Sequence, residues 1–256
     1  MKHSRYNTIL FDLYGTLVDI HTDESMGSLW KTLKNFYEIH GASYSPSELK
    51  TEYFRLVSEA EKELRSSQRR CSHEAHPEID IAEVFRTLFR NRGVFDVSDE
   101  LTAQTALCFR KASTSHIRLY AGASDLLISL RKAGKQVILL SNAQRLFTLP
   151  ELISLGIYDL FDKIYISSDY KCKKPDTRFF MYPVKELDLC PSDCLMIGND
   201  PECDVKGAIH AGMDAYYIHS ALSPRPCPDQ ATLGLPSERF QSHMDLKLVE
   251  KRLKTL

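Results

Sequence analysis

The chain has 256 residues, 43% of them hydrophobic, enough for one large domain or for a core domain carrying an insert. Its formal net charge of -1, with both signs scattered along the sequence, provides neither a basic stripe for nucleic acid nor an acidic tail, so the expected partner is a small molecule. The seven cysteines lack the double spacing of a zinc ribbon and read as reduced thiols, and no segment resembles a signal peptide or a bilayer span, which makes the cytoplasm the expected location and excludes a membrane partner.

Residues 7–12 form a short apolar run that ends in Asp12 and gives way to a Gly15-Thr16 turn, the pattern of a buried strand opening into a loop. Residues 20–118 change character. Amphipathic stretches at 25–39, 46–69, 79–92 and 98–116, with a Ser45-Pro46-Ser47-Glu48 capping box, predict an inserted helical cap with few strands. Trp30, Phe36 and Tyr37 fall on the apolar face of its first helix, and Asp19 and Asp23 read as hinge or turn residues.

From residue 122 helices and strands alternate: helix 124–133, strand 136–141, helix 145–155, strand 163–167, helix 176–187, strand 194–198, helix 202–212, strand 214–219. This predicts an α/β class with a Rossmann-like parallel sheet, the core spanning 1–19 and 119–256 and the cap 20–118. In such sheets the ligand crevice lies beyond the carboxyl ends of the strands, where Asp12, Ser141 and Asp200 fall. Residues 223–236 are proline-rich and loop-like, and 243–256 predicts a terminal helix.

The chemistry can be read residue by residue. A carboxylate such as Asp12 can attack phosphorus or carbon and split one displacement into two through an aspartyl ester; read in isolation it would cap the following turn. Ser141 can donate its hydroxyl to a substrate oxyanion or act as a helix N-cap. Lys174, held extended by the proline after it, can neutralise charge on nucleophile and substrate, while Lys171 and Lys173 read as solvated. Asp200 and Asp204, four apart at a strand-to-helix transition, offer hard oxygens for Mg2+ together with Asp12, or else helix caps. The loop 69–77 is a place for substrate contacts or an exposed connector, and His73 and His76 lack a third metal ligand.

Four separated segments together resemble the motifs of the haloacid dehalogenase-like superfamily: Phe11-Asp12-Leu13-Tyr14-Gly15-Thr16-Leu17-Val18-Asp19, Leu139-Leu140-Ser141-Asn142, Lys174-Pro175-Asp176, and Ile197-Gly198-Asn199-Asp200-Pro201-Glu202-Cys203-Asp204. The resemblance implies catalytic roles for Asp12, Tyr14, Thr16, Ser141, Asn142 and Lys174, and a Mg2+ site drawn from Asp12, the Tyr14 carbonyl, Asn199, Asp200 and Asp204, with Asn199 and Asp200 as alternatives for the inner-sphere ligand. It further implies a phosphorylated small-molecule substrate.

Family phosphatases typically place a second aspartate, the general acid and base, two residues after the nucleophile. Here that position is Tyr14, a poor base at neutral pH. Tyrosine at this place resembles the metal-free 2-haloacid dehalogenases, which tend to have a serine-rich fourth motif and a tyrosine six residues after the lysine; this chain has Gly198-Asn199-Asp200 and Phe180, with Arg55 as a candidate halide-binding arginine. The expectation is a Mg2+-dependent phosphatase of a small phosphorylated metabolite, with a carbon-halogen hydrolase or a weakly active phosphometabolite-binding relative as alternatives.

Overall fold

The structure, a computed structural model, describes residues 5–68 and 76–254. Its strands are β1 (Thr8–Phe11), β2 (Val18–Thr22), β3 (Thr114–Leu119), β4 (Gln136–Ser141), β5 (Lys163–Ile166), β6 (Cys194–Gly198), β7 (Asp214–Ile218) and β8 (Phe240–Gln241). The helices are α1 (Gly27–Ile39), α2 (Pro46–Gln68), α3 (Ile81–Arg90), α4 (Asp99–Ser113), α5 (Ala123–Lys132), α6 (Arg145–Ser154), α7 (Ser167–Tyr170), α8 (Thr177–Glu186), α9 (Gly207–His210), α10 (Gln230–Leu233) and α11 (Leu246–Leu253).

Six strands form one sheet in the order β5-β4-β1-β6-β7-β8, every neighbouring pair parallel. Strands covered by helices on both faces must be apolar on both faces. The runs in β1, β4 and β6 meet that demand: Ile9, Phe11, Val137, Leu139, Leu195 and Ile197 pack in one core layer, and Leu10, Ile138, Leu140, Cys194 and Met196 in the other. The Rossmann-like parallel sheet expected from the alternating pattern is therefore present.

Helices α1 to α4 pack around a core of their own, including Trp30, Tyr37, Tyr53, Phe85 and Phe109, which Phe147 of α6 joins. The capping box forms as a reciprocal pair, with the Glu48 amide donating to Ser45 Oγ (3.2 Å) and the Ser45 amide to Glu48 Oε2 (2.7 Å). Asp80 and Ser98 cap α3 and α4 by accepting from Ala82 N and Leu101 N.

The expected helix 98–116 stops at Ser113. The chain from Thr114 to Leu119 is instead a strand, paired antiparallel with β2 from Val18↔Leu119 to Thr22↔Thr114. The physical reason is a two-residue alternation: Ile20 and Ile117 face inward on one side of this ribbon, while Asp19, His21, His116 and Arg118 share the other. Asp19 pairs there with Arg118 (2.7 Å) and His116 (3.4 Å), and Asp23 closes a turn by accepting from Ser25 N (2.8 Å).

Two further departures lie nearer the C-terminus. The expected helix 202–212 opens as wider, π-type turns over Pro201–Lys206 before α9, and the loop-like 223–236 contains α10. All six cysteines among the described residues are free, and no described helix is long and apolar enough to cross a membrane.

Candidate active site

Because β4, β1 and β6 are neighbours in the sheet, their carboxyl ends bring three of the four motifs side by side. Asp12 follows β1, Ser141 ends β4, and Asn199 and Asp200 follow β6. The loop after β5 and α7 delivers Lys174. A cavity of about 200 Å³ opens there, lined among others by Asp12, Tyr14, Asn142, Lys174, Asn199, Asp200 and Asp204. A wider cleft of about 750 Å³ shares Asn142, Lys174 and Cys203 with it.

Lys174 is the centre of the charge arrangement. Only 2% exposed, it extends its ammonium between two carboxylates, donating to Asp12 Oδ1 at 2.8 Å and to Asp204 Oδ1 at 2.6 Å. Burial disfavours the ammonium, but the two carboxylates outweigh it and hold the Lys174 pKa above its ordinary value. Burial, with Asp12 nearby, raises the Asp204 carboxyl against the pull of Lys174. Both oxygens of Asp12 are held, since Thr16 Oγ1 donates to Oδ2 (3.1 Å), so the carboxylate is fixed in orientation.

Asn142 places Lys174 through its backbone: its amide accepts from Lys174 N (2.8 Å) and donates to Lys174 O (3.0 Å). Ser141 is fully buried, and its hydroxyl is one of two buried side-chain polar atoms among the described residues without a hydrogen-bond partner, the other being the Tyr120 hydroxyl. Such orphaned groups are uncommon in folded proteins and mark a place where a ligand oxygen can bond.

The fourth motif divides its labour. Asp204 uses Oδ1 to accept from Lys174 and Oδ2 to accept from Asp200 N (2.9 Å). Asp200 caps the π-type turns, with Oδ1 accepting from Glu202 N and Cys203 N. Asn199 donates to Ser223 Oγ (3.3 Å) and Ser220 Oγ (3.5 Å), and its Oδ1 lies 3.3 Å from Thr16 Oγ1. The backbone is fitted tightly around these groups. A Cβ on Gly198 would lie 2.2 Å from Asp204 Oδ2, and one on Gly15, whose φ is +89°, 2.3 Å from Asn199 Nδ2.

Tyr14 is turned away from acid–base duty. Its hydroxyl donates to Glu151 on α6 and lies 3.1 Å from Thr148 Oγ1. Burial, then the Glu151 carboxylate, push its pKa well above the ordinary tyrosine value, so the phenol stays neutral. Glu151 and Arg110 escaped sequence reasoning. The available signal was the helical period of α6, which places Glu151 on the buried face one turn after Phe147.

Other expected residues stay outside the site. Arg55 lies on α2, nearly half exposed and paired with Glu52 and Glu59 of its own helix. Residues 69–75 of the loop expected to contact substrate, His73 among them, lie outside the described residues. His76 and Pro77 run beside the third motif, with Lys173 N donating to His76 O (2.9 Å). Among the described residues no three Asp, Glu, His or Cys side chains form a ready-made metal centre.

A family model described as haloacid dehalogenase-like hydrolase matches residues 6–212. The chain is 28% identical over 123 residues to a glyceraldehyde 3-phosphate phosphatase of Methanothermobacter thermautotrophicus, covering 48% of this chain and 54% of that protein. The chain thus spans about half the length of that relative. A phosphoglycolate phosphatase of Colwellia psychrerythraea is 27% identical over 220 residues, 84% of this chain and 85% of its own. Among solved structures, a 2-haloacid dehalogenase from Pseudomonas syringae pv. Tomato DC3000 shares the fold, with a TM-score of 0.66 at 19% identity over 98% of this chain and 99% of that one.

Proposed function

Since the chain belongs to the haloacid dehalogenase-like hydrolases, we propose that it is a Mg2+-dependent phosphatase of a small phosphorylated metabolite, working through an aspartyl-phosphate on Asp12. The observation that carries this reading is the wall of hard oxygen groups beside the nucleophile: the Asp12 and Asp200 carboxylates and the Asn199 amide line one cavity with Lys174. Relatives named as phosphatases, one matching over 84% of this chain, support it.

The donor chemistry fits Mg2+. Asp12, the Tyr14 carbonyl and either Asp200 or Asn199 would hold the ion, with Asp204, which also accepts from Lys174, as a further carboxylate of the set. The bound ion supplies charge neutralisation between the attacking carboxylate and the phosphate. An Asp12 oxygen forms the bond to phosphorus as the P–O ester bond breaks, and the departing alkoxide takes a proton from solvent water to leave as the alcohol. Lys174 and the Ser141 hydroxyl face the charge that gathers on the phosphoryl oxygens. Water then cleaves the acyl phosphate, releasing inorganic phosphate and restoring Asp12. Residues 20–118 form a cap over this site, consistent with the separate core of α1 to α4.

One observation favours the carbon-halogen hydrolase: the Tyr14 hydroxyl donates to Glu151, so the position two residues after the nucleophile supplies no general base. A weakly active phosphometabolite-binding relative fits the same observation. The deciding assay measures phosphate release from a phosphomonoester panel with and without Mg2+, beside halide release from 2-chloropropionate, with Asp12→Asn as blank. Phosphate release requiring both Mg2+ and Asp12 is the expected result. Halide release insensitive to chelator overturns it, and neither activity from folded protein supports the binding relative.

A further inference from the structure

Tyr14 is the meeting point of three parts of the chain. It belongs to the turn after β1, in which the amides of Gly15, Thr16, Leu17 and Val18 all bond within the segment Leu13–Val18. The same turn carries Thr16, which grips Asp12 Oδ2. The Tyr14 hydroxyl leaves this turn to reach Glu151 of α6.

Glu151 is in turn held from the helical unit. Arg110, in the last turn of α4, donates through Nε to Glu151 Oε1 at 2.6 Å and through Nη2 to Oε2 at 3.3 Å. The forked geometry fixes the plane of the carboxylate as well as its distance. The guanidinium lies over the Phe147 ring, 5.1 Å from its centre, and 5.6 Å from that of Tyr14. Phe147 itself stacks on Phe109, the neighbour of Arg110, at 6.0 Å and 13°. Arg110 and Glu151 are both largely withdrawn from solvent, with side-chain exposures of 18% and 11%. A buried ion pair with one further donor and two aromatic walls has a single low-energy arrangement, which suits it to registering one packed unit against another.

We propose that Arg110 and Glu151 are positioning residues, forming a buried latch between α4 and α6 that acts through the Tyr14 hydroxyl to fix the turn holding Asp12. The activity part of this inference rests on Asp12 as the nucleophile of a phosphatase; the latch itself does not. The residue standing where relatives carry a general acid and base thus has a mechanical task in this chain. A shorter side chain at position 14 would lose the bond to Glu151.

The test compares wild type with Tyr14→Phe, Glu151→Gln and the double variant. Tyr14→Phe removes one oxygen and Glu151→Gln keeps shape and an acceptor, so both should fold. Two readouts are taken: kcat and KM for phosphate release, and hydrogen exchange of the amides of residues 15–18 against those of β6 and β7. Each single variant is expected to lower kcat about tenfold or more with KM little changed, the double variant losing no more than the worse single, because the residues act as a unit. Exchange at 15–18 should quicken by about tenfold while β6 and β7 keep wild-type rates. Unchanged exchange at 15–18 in all three variants overturns the latch, as does a double variant whose kcat losses multiply. Wild-type protein without phosphatase activity, but with the expected exchange pattern, overturns the phosphatase reading and leaves the latch standing.

Discussion

The Tyr14 hydroxyl donates to the same Glu151 carboxylate that binds the Arg110 guanidinium. The phenol's proton is therefore committed to α6, and the position two residues after Asp12 supplies no base. Replacing Tyr14 by Asp returns a carboxylate to this position but also breaks the contact to Glu151, so the informative comparison is with Tyr14→Phe, which shares that loss. Tyr14→Asp is expected to release phosphate about 100-fold faster than Tyr14→Phe, the usual worth of a placed general base. Rapid-quench kinetics would check this, with a burst of phosphoenzyme expected for Tyr14→Phe and absent from Tyr14→Asp.

Lys174 holds two buried carboxylates that otherwise face each other unpaired. Lys174→Met should lower stability by about 3–5 kcal/mol, the cost of stranding a buried charge. In a chain of this size that is a fall in Tm of roughly 10 °C. Adding Asp204→Asn to Lys174→Met should restore part of the loss, because a neutral amide then replaces one stranded carboxylate. Thermal unfolding followed by circular dichroism decides it.

Gly198→Ala tests the close fit of the fourth motif. The added methyl would meet Asp204 Oδ2 at 2.2 Å, so Asp204 must move and release Lys174. The expected cost is about 1–3 kcal/mol of stability, with a fall in kcat larger than any change in KM. Steady-state kinetics and denaturant melts of the purified variant give both quantities.

Asp176 offers a pH test away from the nucleophile. Burial works to raise its pKa, but the Arg178 guanidinium and the amides of Arg178 and His76 hold the carboxyl below its ordinary value. A depressed carboxylate contributes stability above its unfolded pKa, near ~3.9, and loses that contribution as pH falls through the folded value. The Tm gap between wild type and Asp176→Asn should accordingly be widest near neutrality and close in strong acid. A gap independent of pH would assign the effect to shape alone.

The strands that build the site were legible because each is a short apolar run with a definite end. Residues 136–141 and 194–198 have the same bounds in sequence and structure, and Asp12, Ser141 and Asp200 fall where those runs stop. The ribbon of β2 and β3 was hidden, since the amphipathic pattern of α4 runs on into Thr114–His116 and its strand partner lies almost a hundred residues away. The Arg110–Glu151 pair was hidden because its partners lie forty-one residues apart on different helices: the period of α6 puts Glu151 on a buried face, but nothing local names Arg110 as its partner. Asp204 was identified as important from sequence, but its task of holding Lys174 depends on which way two oxygens face, and spacing carries no such information.

The ribbon has a further consequence. The outgoing strand β2 and the returning strand β3 are hydrogen-bonded neighbours, so the ends of everything threaded between Thr22 and Thr114 are already held together. Joining nearby ends with a long segment adds only a slowly growing entropic cost, so the length of the insert is free to vary while its contacts to α6, through Arg110 and around Phe147, are not. A different insert grafted at these two strands should accordingly keep the six-stranded scaffold and the site when it restores a partner for Glu151 and a cover for Phe147, and new selectivity could arise by exchanging the rest of the segment.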